Sequence, residues 1–153
     1  MSFFQVDTSA LVKRYVLEAG SAWIQSLCQD NSGHTIAISQ VTPVEVASAL
    51  ARKLREGTIT PEGKESALRL FLGDCKHRYQ IIRLKQSIIE KAVQLTQQHP
   101  LRAYDALQLA PALVVNDSLV QAELDPLILL SADERLCEAG RAEGLLVDNP
   151  SLH

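Results

Sequence analysis

Four acidic residues stand out because their positions suit a shared metal site: Asp7, Glu45, Asp105 and Asp133. Clustered carboxylates repel one another unless a cation lies among them. Ligand sets made only of oxygen favour hard divalent ions, Mg²⁺ or Mn²⁺, over zinc. Such ions suit phosphodiester hydrolysis, in which one activates a water for in-line attack and another stabilises the departing oxygen. Taken together, the four acids therefore predict metal-dependent cleavage of a phosphodiester.

Each acid taken alone also has a purely structural explanation. Asp7 follows an apolar run and could cap the helix behind it, and the segment from Thr42 to Glu45 has the pattern of a capping box. Asp105 and Asp133 lie in predicted first turns of helices, where the helix dipole favours negative charge. Chemistry is indicated only when the four positions are considered as a set.

Other reaction centres find little support in the sequence. The four histidines form no pair with metal-ligand spacing. There is no glycine-rich phosphate loop and no GxSxG motif. A serine or cysteine nucleophile would also need a base, and the sequence does not indicate one.

The elements that must position the acids alternate between strand and helix. Short apolar strands are predicted at 3–6, 35–39, 79–84, 127–130 and 145–147. Helices are predicted at 8–17, 21–29, 42–56, 60–76, 87–98, 102–115 and 131–143. This alternation predicts an α/β fold with a five-stranded parallel sheet flanked by helices on both faces. Pro111 is expected to bend or shorten its helix.

The predicted topology brings three of the acids to one edge of the sheet. Asp7, Glu45 and Asp133 each follow a strand at or near the start of the next helix. Ligands bind outside the carboxyl ends of strands in open parallel sheets, so these three should meet there. Asp105 follows a helix instead, and the topology alone does not account for its position.

Size and composition fit one globular domain over residues 1–153. Hydrophobic residues make up 46% of the chain and charged residues 22%, which is typical of folded proteins. The formal net charge of −3 neither indicates nor excludes nucleic-acid binding. No targeting segment or membrane-spanning run is evident, and the three widely spaced cysteines suit reduced core thiols, so a cytoplasmic location is expected.

The acids lie in four longer motifs, which follow one another along the chain as VDTSALVK (6–13), QVTPVEVASAL (40–50), LRAYDALQLA (101–110) and LSADERL (130–136). In this order they resemble the motifs of PIN-domain nucleases, in particular the VapC-like toxins of bacterial type II toxin–antitoxin pairs. The resemblance implies a metal site formed by all four acids and supplies the missing reason for Asp105. It also implies that the hydroxyls of Ser9 and Ser131 orient carboxylates or water.

The resemblance further implies an Mg²⁺-dependent endoribonuclease, with Mn²⁺ as a substitute ion, that hydrolyses RNA with metal-activated water. Relatives of this kind usually form homodimers and are silenced by a cognate antitoxin protein. Two alternatives remain open at this point. A PIN fold that only binds RNA or a protein would have no need of all four acids. A metal-dependent nuclease acting on DNA would need the same acids, and the sequence carries no signature of 2′-hydroxyl recognition.

Overall fold

Five short strands form one parallel sheet in the computed structural model, which describes residues 1–153. The strands are β1 (Phe3–Val6), β2 (Thr35–Ser39), β3 (Gln80–Ile82), β4 (Ile128–Leu130) and β5 (Leu146–Asp148). Their order in the sheet is β3-β2-β1-β4-β5, and every neighbouring pair is parallel. After β1 the chain adds β2 and β3 on one side of it, and then β4 and β5 on the other side. The resulting switch point lies between β1 and β4, where open α/β sheets bind ligands.

Seven α-helices connect these strands and cover both faces of the sheet. They are α1 (Thr8–Tyr15), α2 (Ser21–Leu27), α3 (Thr42–Arg55), α4 (Pro61–His77), α5 (Gln86–Gln98), α6 (Ala103–Gln121) and α7 (Glu134–Ala142). The predicted fold class, a five-stranded parallel sheet flanked by helices, is confirmed. None of these helices combines the length and the apolar character that crossing a membrane requires.

The apolar core is divided into two layers by the sheet. Side chains alternate between the two faces of a strand, so Leu130 packs with α1 to α4 while its neighbour Leu129 packs with α5 to α7. Both layers consist mainly of Leu, Ile, Val and Ala. The helices that carry the acids are thus held by aliphatic packing on the two faces of the sheet.

Helix α6 runs through Pro111 and continues to Gln121, so of the two expected effects of Pro111, bending or shortening the helix, the shortening is wrong. Proline has no N–H to offer the carbonyl four residues earlier, which is that of Leu107. The hydroxyl of Ser39, at the end of β2, donates to this carbonyl over 2.9 Å. From β1, Nε2 of Gln5 donates over 2.6 Å to the next carbonyl of α6, that of Gln108. The sheet thereby replaces the missing helical bond and fixes α6 against β1 and β2.

Replacing Ser39 with Ala should lower the free energy of unfolding by about 1–2 kcal/mol, because the partly buried carbonyl of Leu107 loses its donor. The matched control is Ser118→Ala, which removes an exposed hydroxyl that donates to Val114 within the same helix. Its effect should stay within about 0.5 kcal/mol. Urea unfolding followed by circular dichroism measures both, and equal losses would show that the Ser39 contact does not hold α6 to the sheet.

Candidate metal centre

All four acids identified in the sequence line one cavity of about 580 Å³ at the carboxyl edge of the sheet. Asp7 directly follows β1, and Asp133 directly precedes α7 on the other side of the switch point. Glu45 and Asp105 lie in the first turns of α3 and α6. A groove of about 680 Å³ between α3 and α4 contains only one carboxylate, so the acids converge in the smaller cavity alone.

Asp7 is the most deeply buried of the four, with 4% of its surface exposed. It caps α1 by accepting from the backbone N–H of Ala10 over 2.9 Å. The hydroxyl of Ser131 donates to its Oδ2 over 2.7 Å, and that of Ser9 lies 2.8 Å from its Oδ1. Burial nevertheless raises the pKa of Asp7 to about 6, with a further upward contribution from the charge of Asp133. The fold therefore holds this carboxylate in an environment that lacks a compensating cation.

The two serines named from the motifs form a continuous hydrogen-bonded link between the ends of β1 and β4. Ser9 accepts from the N–H of Ala132 over 2.9 Å, and Ser131 accepts from the N–H of Asp133 over 3.0 Å. Since both also contact Asp7, they fix this carboxylate relative to the loop that carries Asp133. The structure places Ser9 and Ser131 where they can orient carboxylates.

Glu45 does not take part in a capping box, and that structural explanation is wrong. Thr42 is the first helical residue of α3, and the preceding Val41 makes no side-chain cap. The Thr42 hydroxyl instead accepts from Nε2 of Gln108 over 3.0 Å. The same nitrogen lies 2.9 Å from Oε1 of Glu45. Burial, followed by the charge of Asp105, raises the pKa of Glu45.

Gln108 is a site residue that the sequence analysis missed. It is 2% exposed, lines the cavity, and links the first turn of α3 to α6 through its side-chain amide. It lies one helical turn after Asp105, on a helix that otherwise presents Ala and Leu to the core. A lone polar residue in such an apolar stretch was the signal that could have identified it.

Asp105 and Asp133 are joined by one guanidinium. Arg102 precedes α6, and its Nε lies 3.5 Å from Oδ2 of Asp105 while its Nη2 lies 3.6 Å from Oδ2 of Asp133. The side chain of Arg102 is 73% exposed, so this pairing is weak and easily exchanged. Asp133 also caps α7 by accepting from the N–H of Arg135 over 3.0 Å.

The donor set fits a hard divalent cation in its chemistry, although the side chains are not gathered around one point. All donors at the carboxyl edge are oxygens, and negative charge exceeds positive charge among them. No three His, Cys, Asp or Glu side chains of the chain are close enough together to hold a metal ion. Arg102 neutralises part of the charge of Asp105 and Asp133, whereas Asp7 and Glu45 form no salt bridge.

A parallel sheet in this strand order, with acids gathered at its switch point, defines an α/β protein with a candidate metal site. The PIN-domain family model matches residues 5–142, and the chain therefore belongs to the PIN-domain family. PIN domains are nucleases that generally use divalent metal ions. The resemblance inferred from the four motifs is thus confirmed.

Several solved structures share the fold at low sequence identity. The VapBC2 structure from Rickettsia felis, bound to a DNA fragment from its promoter, is 18% identical, with a TM-score of 0.64 over 96% of this chain and 98% of the other. PAE2754 from Pyrobaculum aerophilum is 17% identical, with a TM-score of 0.66 over 99% and 85%. VapC20 from Mycobacterium tuberculosis, described as a Sarcin-Ricin loop cleaving toxin, is 14% identical, with a TM-score of 0.62 over 94% and 96%. No curated protein matches the sequence significantly.

The burial of Asp7 should make stability depend on pH. The pKa of Asp7 is raised to about 6 in the folded protein, so ionising this buried carboxyl costs folding free energy. The protonated carboxyl therefore contributes stability that is fully present below about pH 4 and is lost as the pH rises through about 6. Asp7→Asn removes this charge and keeps a helix-capping side chain. In the presence of EDTA, the free energy of unfolding of the variant relative to that of the wild type should increase by roughly 2–3 kcal/mol between about pH 4 and 7.

Urea titrations across this pH range measure the difference. Asp117→Asn, an exposed acid on α6, is the control and should run parallel to the wild type. A parallel curve for Asp7→Asn as well would show that the carboxylate is not destabilised by its burial.

Proposed function

We propose that this protein is an Mg²⁺-dependent endoribonuclease of one domain, residues 1–153, and the toxin of a type II toxin–antitoxin pair. The observation that carries the proposal is the convergence of four carboxylates, from four separate elements, on one cavity of the PIN fold. Two of them, Asp7 and Glu45, line this cavity without forming a salt bridge. Three of the four, Asp7, Asp105 and Asp133, also accept backbone N–H bonds at the starts of helices, but capping requires no shared cavity.

Mg²⁺, with Mn²⁺ as a substitute, would be held by Asp7 and Asp105 as central ligands, with Glu45 and Asp133 completing the site directly or through water. When bound, the ion supplies Lewis-acid activation of water and charge stabilisation at the phosphate. Asp105 and Asp133 would then exchange the guanidinium of Arg102 for the ion. The exposure of Arg102 makes this exchange inexpensive, and the freed side chain can pair with a phosphate oxygen of the substrate.

The chain's own residues contribute orientation and charge. Ser9 and Ser131 hold the carboxylate of Asp7 in one position, and Gln108 does the same for Glu45. Because these contacts exist before any substrate arrives, Asp7 and Glu45 start from fixed positions, and only a closer approach of the four carboxylates is needed to hold an ion. The buried environment of Asp7 strengthens its interaction with a cation.

RNA as the substrate, and an antitoxin as the partner, are supported by the similar structures. One of them is a toxin that cleaves the sarcin–ricin loop, and another is a toxin–antitoxin complex from Klebsiella pneumoniae with a TM-score of 0.57. We infer a homodimer and a cytoplasmic location from the same relationship. A PIN fold that only binds a partner, and a nuclease that prefers DNA, are the outcomes that the following experiments would reveal instead.

Asp7→Asn and Asp105→Asn should each abolish cleavage of labelled RNA in Mg²⁺ while the proteins remain folded. We expect a loss of at least about 100-fold, because replacing a residue that only supports a metal ligand already costs about 10- to 100-fold. The control is again Asp117→Asn, the exposed acid on the same helix as Asp105. Metal-dependent cleavage retained by Asp7→Asn would refute the assignment, and cleavage of DNA alone would establish the alternative substrate.

Metal binding can be measured without any substrate. Mg²⁺ or Mn²⁺ should raise the melting temperature of the wild type, because an ion that binds only the folded state stabilises it. EDTA should reverse the shift, and Asp105→Asn should reduce it. A clear shift without cleavage of any nucleic acid would identify a binding module, whereas no shift in the wild type would contradict the metal site.

Gln108→Leu should lower kcat for RNA cleavage by about 10- to 100-fold with little change in KM, because Glu45 loses the donor that fixes it. The Mg²⁺ concentration that gives half the maximal rate should also be higher for this variant. Gln121→Leu, at the end of the same helix, serves as the control. An unchanged metal dependence in Gln108→Leu would show that the glutamine only supports the fold.

A further inference from the structure

Two exposed apolar side chains line the acidic cavity. Tyr104 is 62% exposed and directly precedes Asp105 on α6. Val44 is 73% exposed and directly precedes Glu45 on α3. Each therefore lies beside one of the acids assigned to the site, at the rim of a cavity that is otherwise mostly polar.

Tyr104 has no visible role in the fold. Its hydroxyl makes no hydrogen bond to the protein, and its ring pairs with no other aromatic ring or arginine. The other two tyrosines differ, because Tyr15 and Tyr79 pack against Phe71 and share a hydrogen bond. Aromatic and β-branched residues are also not the best helix formers, so helix propensity does not explain Tyr104 or Val44. An exposed aromatic ring without a partner beside a reaction centre suggests a surface for a ligand.

The same cavity contains cations that are free to meet phosphate. Arg52 lines it and forms no salt bridge, and Arg102 is held only by the weak contacts described above. Lys13 and Lys53 also line it, but both pair with Glu18, whose single negative charge offsets one of the two positive charges. A planar apolar face and the unpaired guanidinium of Arg52, within one cavity, match the two parts of a nucleotide.

We propose that Tyr104 is a nucleobase subsite, on which a base next to the scissile phosphate stacks while Arg52 pairs with a neighbouring phosphate. This inference rests on the proposed nuclease function and deepens it. Val44 supplies an apolar contact to the same or the adjacent nucleotide. In a duplex the faces of the bases are covered by their neighbours, so the subsite accepts only unpaired nucleotides.

The test measures binding separately from cleavage, with short fluorescent RNA in Ca²⁺ in place of Mg²⁺ and fluorescence anisotropy as the readout. Gel analysis verifies that the RNA stays intact. Tyr104→Ala should weaken binding of single-stranded oligoadenylate by about 5- to 150-fold, the range for one stacked base. Tyr104→Phe keeps the ring and should bind as the wild type does. Leu70→Ala, an equally exposed apolar residue on α4 outside the cavity, is the matched control.

An abasic ribose-phosphate oligomer of the same length isolates the stacking contribution. Wild type should bind oligoadenylate more tightly than the abasic oligomer, and Tyr104→Ala should remove most of that difference while binding the abasic oligomer unchanged. Equal losses for both oligomers, or no loss for either, would overturn the subsite.

The two proposals fail in distinguishable ways. If Mg²⁺-dependent cleavage proceeds normally and Tyr104→Ala binds oligoadenylate as the wild type does, only the subsite is refuted. If the wild type neither binds nor cleaves RNA, the nuclease proposal falls and the subsite falls with it.

Discussion

Two hydrogen bonds between the sheet and α6 fix the helix that carries one of the four acids. Asp105 is the only acid of the four whose position does not follow from a strand, and its helix is fixed by the donors on Gln5 and Ser39. Pro111 makes the carbonyl of Leu107 available for this purpose by withholding the N–H that would otherwise occupy it. The proline therefore leaves a carbonyl of α6 free to bind the sheet, and this contact helps to fix the helix that places Asp105 at the cavity.

Charge is the second constraint on the molecule. Carboxylates from both sides of the switch point are held close enough for Asp133 to raise the pKa of Asp7 and for Asp105 to raise that of Glu45. The fold tolerates this because hydroxyl and amide donors stabilise the carboxylates in part, and because Arg102 spans two of them. These arrangements position the acids but leave their charge largely uncompensated, which is the condition that favours a divalent cation.

The alternating pattern of apolar runs and helix signals was enough to predict the parallel sheet and the shared edge of Asp7, Glu45 and Asp133. The errors came from contacts between residues far apart in the chain. Thr42 looked like a cap because its partner, Gln108, is 66 positions away. Pro111 looked like a helix end because the donor that compensates for it belongs to β2. Local patterns carry no information about such partners, so the contacts of Gln108 and the free ring of Tyr104 emerged only from the structure, although the polar side chain of Gln108 in an apolar helix is visible in the sequence.

The double use of Asp7 and Asp133 as helix caps has an evolutionary consequence. In a descendant that has stopped cleaving nucleic acid, drift at these two positions is restricted to residues that still cap, such as Asn and Ser, because apolar replacements would destabilise α1 and α7. Glu45 caps nothing, and the Gln108 amide that donates to it also donates to Thr42, so position 45 is less restricted. Inactive members of a lineage should therefore be recognised by Asn or Ser at positions 7 and 133 together with a more variable position 45.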